Sequence, residues 1–267
     1  IVKPICPEVL LGSLRRAKNL RAAQKRAVQS ERLAAIGTAV AAVAHESRNA
    51  LHRILARVDL IRLMHENDTN LLEDLSAIED ASSQLQTQFE ELREFSAPII
   101  LNRMPCQLRS LVQRVWSHVQ SAEKRSDAEL LIPDRDVQCL IDPARIEQVM
   151  RNLFENAIAA SGSGARIEVD WSISEFDDEE SLCITVRDHG IGFSEEQRAS
   201  AFEPFFTTKG HGTGLGLPIC RRIVEAHGGA IFIEANDGSG GKITFALPGL
   251  IGISDHQTAA CSAFASS

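Results

Sequence analysis

Four clusters in this chain hold residue types that could do chemistry. The first is His45-Glu46-Ser47-Arg48-Asn49. An imidazole, a carboxylate beside it and an amide one helical turn on make a nucleophile, a base and a group that orients water or phosphate. The same residues would also make an ordinary solvated patch. The second cluster is Asn152-Leu153-Phe154-Glu155-Asn156. Its two asparagines share a helix face, and neutral oxygens suit Mg²⁺, which keeps most of its waters and is shared with phosphates. The third is Asp188-His189-Gly190-Ile191-Gly192 after a strand. There a carboxylate can accept from an adenine amino group, and Gly190 and Gly192 let backbone approach the base. The fourth is Gly210-His211-Gly212-Thr213-Gly214-Leu215-Gly216-Leu217-Pro218. Free N–H groups before a helix make a phosphate cradle. Lys209 just ahead of it could reach a terminal phosphate as a point charge. Neither a Walker A loop nor a dinucleotide fingerprint is present.

The elements that must position these residues follow from pattern. Around His45, Leu33, Ile36, Val40, Val43, Leu51, Ile54, Leu55, Val58 and Ile61 recur at helical steps. No proline occurs from Ser13 to Glu66. A helix of that length would run roughly 75–80 Å and needs a packing partner. His65 to Asn70 reads as a turn. A second helix follows, with Leu71, Leu72, Leu75, Ile78, Leu85, Phe89, Leu92 and Phe95 on its apolar side, and it stops before Pro98. Two such helices bury little, so a homodimer completing a four-helix bundle is the expected arrangement.

From Pro98 to Pro105 the chain reads as a linker, and beyond it the composition turns to mixed α/β. Helix is expected over Leu108 to Ala122, strand over Val137 to Ile141, and a helix opening at Asp142-Pro143 as N-cap and N1. Strands are expected over Arg166 to Ser172, Leu182 to Arg187, Ile231 to Glu234 and Lys242 to Leu247. Phe202 to Lys209 reads as a hinged flap with apolar anchors. Residues 250–267 are expected to be a mobile tail.

Net charge is −8 over 267 residues, and the isoelectric point is near 5.5. That excludes a nucleic-acid surface. The six cysteines show no CxxC spacing, so no zinc site or disulfide framework is expected, and a reducing, cytoplasmic compartment fits. The apolar run Leu33 to Ala44 falls short of the ~20 residues that cross a bilayer. Ile1-Val2-Lys3-Pro4 carries neither a signal-peptide pattern nor an initiator Met, so the chain reads as a fragment. Residues 1–13 resemble the last strand and helix of a response-regulator receiver; a generic linker helix is the alternative.

In order and spacing, the clusters resemble the transmitter core of a bacterial sensor histidine kinase over residues about 14 to 249. His45 to Asn49 is similar to that family's H box and Asn152 to Asn156 to its N box. Asp188 to Gly192 resembles its G1 box, Phe202 to Phe206 its F box, and Gly212 to Gly216 its G2 box. The resemblance implies α plus α/β architecture. A dimeric helical hairpin for histidine phosphotransfer (14–97) would precede an α/β-sandwich ATP-binding domain of Bergerat type (104–249).

The resemblance also implies roles. His45 would be the phosphoacceptor, Glu46 the base taking its proton, and Asn49 the group positioning water when a partner receiver is dephosphorylated. Asn156 would hold Mg²⁺ with Asn152 beside it, and Asp188 would bind the adenine of ATP. Gly190, Gly192, Lys209, Gly212, Thr213, Gly214, Leu215 and Gly216 would shape pocket and lid. The partner would be a response-regulator receiver domain. Two positions depart from the family: Ser47 replaces a usual aliphatic, and Ala50 stands where proline is usual. An unbroken first helix through residues 44 to 56 is therefore expected. A gyrase- or chaperone-like ATPase of the same fold leaves His45-Glu46 unexplained and commonly has Glu at the place of Asn152. A non-catalytic docking module leaves the nucleotide boxes unexplained.

Overall fold

The computed structural model describes residues 43, 46–65, 68–122, 127–176, 179–209, 212–235, 240–248 and 250–254. His45 lies outside them, as do Gly210 and His211. The chain divides into two compact units, Ile1–Pro98 and Ile99–Ser267.

The first unit is a helical hairpin. Helix α1 occupies residues 46–64 and α2 Thr69–Ser96. Asp68 caps α2, its carboxylate accepting from the Leu71 amide at 3.2 Å. Pro98 prevents continuation past Ser96. Leu51 and Val58 of α1 and Leu75 and Phe95 of α2 are buried. Each stabilises the unit by roughly 1.5–3 kcal/mol. Arg62 meets Glu79 at 2.5 Å, and Arg48 pairs with Glu90. As the residue number rises on one helix it falls on the other, so the helices are antiparallel. These pairs are partly exposed and set register more than stability. Helix α1 runs without interruption through Ala50, whose methyl side chain leaves its amide free for the helical ladder.

The second unit is a layered α/β structure. Its strands are β1 (Met104–Gln107), β2 (Glu129–Leu131), β3 (Asp136–Ile141), β4 (Arg166–Phe176), β5 (Glu179–Asp188), β6 (Ala230–Ile233), β7 (Lys242–Pro248) and β8 (Leu250–Ser254). Its helices are α3 (Leu108–Ala122), α4 (Pro143–Ser161), α5 (Glu195–Ser200) and α6 (Gly216–Ala226). One sheet has the order β1-β3-β8, all antiparallel. The other has the order β2-β4-β5-β7-β6, parallel only between β2 and β4.

Alternation builds the core. Ile167, Val169 and Trp171 of β4 are buried while Asp170 and Ser172 face outward. On β5 the buried series is Leu182, Ile184, Val186 and then Asp188. The pleat thus carries a carboxylate onto the core face at the end of the strand. Helix α4 covers this face with Leu153, Phe154, Ala157 and Ile158, and Phe154 meets Trp116 of α3 edge-on at 5.4 Å.

Several expectations are corrected here. Residues 250–254 are not tail: they form a strand in which Leu250, Gly252, Ile253 and Ser254 pair with β3. The stretch read as linker up to Pro105 already contains the start of β1. Pro105 is tolerated there because β1 is an edge strand. Strands β4 and β5 extend to Phe176 and back to Glu179, beyond the apolar runs, because the hairpin pairs them residue by residue. Among the described residues no helix is long and apolar enough to cross a membrane.

Candidate nucleotide site

Asp188 is 8% exposed, and its two oxygens stand in different surroundings. Oδ1 accepts from the amides of Gly190 at 2.8 Å and Gly241 at 2.9 Å. The Asp188 amide in turn donates to the Gly241 carbonyl at 2.9 Å. The side chain is therefore locked by backbone, and Oδ2 remains to accept from a ligand donor such as an exocyclic amine. A carboxylate held by two N–H groups does not rotate.

Two glycines fit this loop for steric reasons. A Cβ at Gly190 would sit 2.4 Å from the Ala160 carbonyl of α4, and one at Gly240 would sit 1.7 Å from the Asp188 carbonyl. Gly240 also has φ 78°, the left-handed region. Gly240 and Gly241 stand immediately before β7, outside the four chemical clusters. The paired glycines immediately before a strand were the available signal for a close backbone approach.

Helix α4 starts at a buried cap: Asp142 Oδ1 accepts from the Arg145 amide at 3.2 Å, with Pro143 in the first turn. This fixes the phase of Asn152 and Asn156 on the helix. Asn156 Oδ1 accepts from Lys209 Nζ at 2.7 Å, so this oxygen is presented to a cation. Asn152 points elsewhere. Its Nδ2 donates to the Gly216 carbonyl at 3.2 Å and approaches Cys220 Sγ at 3.7 Å, tying α4 to α6. Burial pushes the Cys220 thiol up to about 12, so it stays protonated.

The residues present fit Mg²⁺. Among the described residues no group of three His, Cys, Asp or Glu could cage a metal. A single amide oxygen beside a phosphate cradle suits an ion that keeps its waters. Asn156 would hold it, and the ion would neutralise phosphate charge.

The glycine loop leads into α6, whose first turn carries no side-chain cap. Its amides are left to an anion, reinforced by the helix dipole. Thr213 Oγ1 shapes the loop by accepting from the Leu215 amide at 3.3 Å. The flap before it is anchored by Phe202, over which the Arg221 guanidinium lies at 5.5 Å. Phe205 has φ 69°, is 63% exposed, and donates its amide to the Gly214 carbonyl at 3.1 Å. A bulky residue held in that region is strained, the mark of a functional loop. Helix α5 was not expected; Ser194 and Gln197 form a reciprocal capping box, a signature present in the sequence.

Asn152, Asn156, Asp188, Gly190, Lys209 and Gly216 thus come together around α4 and the N-terminus of α6. Glu46 and Asn49 lie on α1, in the other unit.

Residues 141–250 match the family described as histidine kinase-, DNA gyrase B-, and HSP90-like ATPase. The chain is 32% identical over 228 residues to the signal transduction histidine-protein kinase AtoS of Escherichia coli K12, covering 84% of this chain and 37% of AtoS. It is 34% identical over 224 residues to the sensor histidine kinase ZraS of Salmonella typhimurium, covering 82% of this chain and 47% of ZraS. It therefore spans less than half of either relative. The solved structure of histidine kinase ThkA in complex with the response regulator protein TrrA aligns at a TM-score of 0.59 and 29% identity, over 82% of this chain and 63% of that one. The helical hairpin, the ATPase sandwich and these relatives together place the chain in the sensor histidine kinase family, as its transmitter core.

Proposed function

We propose that this chain autophosphorylates on His45 with MgATP and passes the phosphoryl group to an aspartate of a response-regulator receiver. The observation that carries the reading is the locked Asp188 carboxylate in one unit with an uncapped helix N-terminus and an Asn156 oxygen presented to a cation. That arrangement suits adenine at one end and metal-bound phosphates at the other. The imidazole of His45 attacks the γ-phosphorus, a P–N bond forms, the bond to the β-phosphate oxygen breaks, and ADP leaves. Glu46 takes the imidazole proton. In the reverse sense Asn49 orients water toward a phosphorylated receiver.

The partner assignment is supported by the ThkA structure, in complex with a response regulator protein. Dimerisation is supported by Ile54, Ile61, Ile78 and Leu85, each 39–46% exposed on the hairpin. Such side chains at helical spacing are completed by a second hairpin. The reading places the chain in the reducing cytoplasm and takes residues 14–97 and 104–254 as its two working domains, the second including β8.

Incubation with γ-labelled ATP and Mg²⁺ tests it. Acid-labile label on the protein, lost in His45→Ala with nucleotide affinity retained, is expected. Label persisting on His45→Ala, or release of free phosphate alone, overturns it.

A further inference from the structure

His227 closes α6 at the end away from the glycine loop, and it is 2% exposed. Every polar atom of this residue is engaged. Its amide donates to the carbonyls of Ile223 and Val224, both at 3.1 Å, and its own carbonyl accepts from Arg103 Nη2 at 2.9 Å. Ring atom Nδ1 lies 2.8 Å from the Ile223 carbonyl, and Nε2 lies 3.1 Å from the Asp142 amide. A carbonyl only accepts and an amide N–H only donates. The proton therefore sits on Nδ1 and the lone pair on Nε2, so the partners dictate a neutral tautomer.

Asp142 is engaged as completely. Its Oδ1 caps α4, its Oδ2 accepts from the Asn102 amide at 2.8 Å, and its carbonyl accepts from Ile146 at 3.0 Å. Two polar ties thus bracket the contact between α4 and α6. One joins Asn152 to Gly216 beside the phosphate cradle, and the other joins Asp142 to His227. They lie about 15 Å apart along each helix. Between them Cys220 Sγ of α6 lies 3.8 Å from the Val149 carbonyl of α4, and the two polar ties at the ends set the angle at which α6 meets α4, and with it the place of Asn156 beside the glycine loop.

We propose that neutral His227 is a positioning residue for the nucleotide site, and that protonating it releases the far tie and weakens nucleotide binding. The proposal rests on the ATP-binding reading above. Protonation would put an N–H on Nε2 against the Asp142 N–H, replacing an acceptor by a second donor. The charged groups facing the ring are Arg103, from the segment before β1, and Asp142, at the start of α4. Arg103 opposes a positive imidazole. Asp142 favours one, but both its oxygens are already occupied by amides. Burial acts most strongly of all and holds the His227 pKa below the usual imidazole value.

The test is MgADP affinity of the whole chain by calorimetry between pH 5.5 and 8, for the native protein and His227→Gln. The Gln amide oxygen can accept from Asp142 but cannot titrate. The ratio of native to variant affinity is expected to fall as the pH drops through the ring's own folded-state midpoint, by at most about tenfold per pH unit, and the titration of ADP itself cancels. In parallel, nitrogen NMR of the native ring should show Nδ1 protonated, with a midpoint below 6.5. A flat affinity ratio, an Nε2-protonated ring, or a midpoint at or above 6.5 overturns the proposal. Should the variant not fold, native affinity and the ring titration must share one midpoint, and separate midpoints overturn it. Absence of MgADP binding at every pH fells the nucleotide reading itself, and this inference with it.

Discussion

Asp188 uses one oxygen for the protein and leaves the other for the ligand, and this division decides how substitutions there should be read. In Asp188→Asn the retained oxygen can still accept from Gly190 and Gly241, so the loop should stand while the ligand-facing oxygen becomes a donor. Losing a hydrogen bond to a charged group costs about 1.5–3 kcal/mol, so affinity should fall roughly 10- to 150-fold. Calorimetry should show the loss for ADP and ATP alike, with or without Mg²⁺. Asn156→Ala should instead weaken only the Mg²⁺-dependent part, because its oxygen faces a cation rather than the base. Equal, Mg²⁺-independent losses for both variants would contradict these roles. Glu46 is exposed on α1, outside the nucleotide unit. Glu46→Gln should therefore slow autophosphorylation by about 10²–10⁴-fold and leave ATP affinity nearly unchanged. An unchanged rate in a labelling time course removes Glu46 from the mechanism.

At the scale of elements, the decisive features are where helices start and whether they run straight on. Helix α1 runs from 46 to 64 through Ala50, a good helix former where the family usually has proline, while residues 44 and 45 of the expected span lie outside the described residues. Ala50→Pro would remove one backbone hydrogen bond and press its ring on the preceding turn. It should cost the hairpin about 3 kcal/mol, read as a lower thermal midpoint by circular dichroism. An unshifted midpoint would mean that α1 is already bent there. The starts of α2 and α4 were legible because Asp68 and Asp142 are caps with local mechanisms. Helix α5 is hard to see in the sequence although Ser194 and Gln197 spell its capping box, because its 6 residues show too little periodicity.

At the scale of the whole molecule, His227 makes the nucleotide unit sensitive to acid. Its pKa is lowered by burial in the folded state, so between that value and about 6.5 the unfolded chain binds more protons than the native one. The contribution to stability is complete above about pH 6.5. It declines as the pH falls below that and levels off beneath the folded-state value. Urea titrations at a series of pH values should show native stability falling relative to His227→Gln across that window. Parallel curves for the two proteins would show that His227 titrates alike in both states.

Local rules in the sequence determined much of this protein. Cap residues and apolar periodicity defined the hairpin and the helices α3 and α4, and the order of the clusters His45 to Asn49, Asn152 to Asn156, Asp188 to Gly192 and Gly212 to Gly216 pointed to the family. Those signals act over a few residues along the chain, so they survive without a fold. Only the tertiary structure revealed that Asn152 ties α4 to α6 instead of standing beside Asn156, that Gly240 and Gly241 belong to the Asp188 loop, that residues 250–254 complete a sheet, and that His227 meets Asp142. Each of these joins residues from about 50 to 120 positions apart, and a hydrogen bond between them exists only once long-range packing has brought them within about 3 Å.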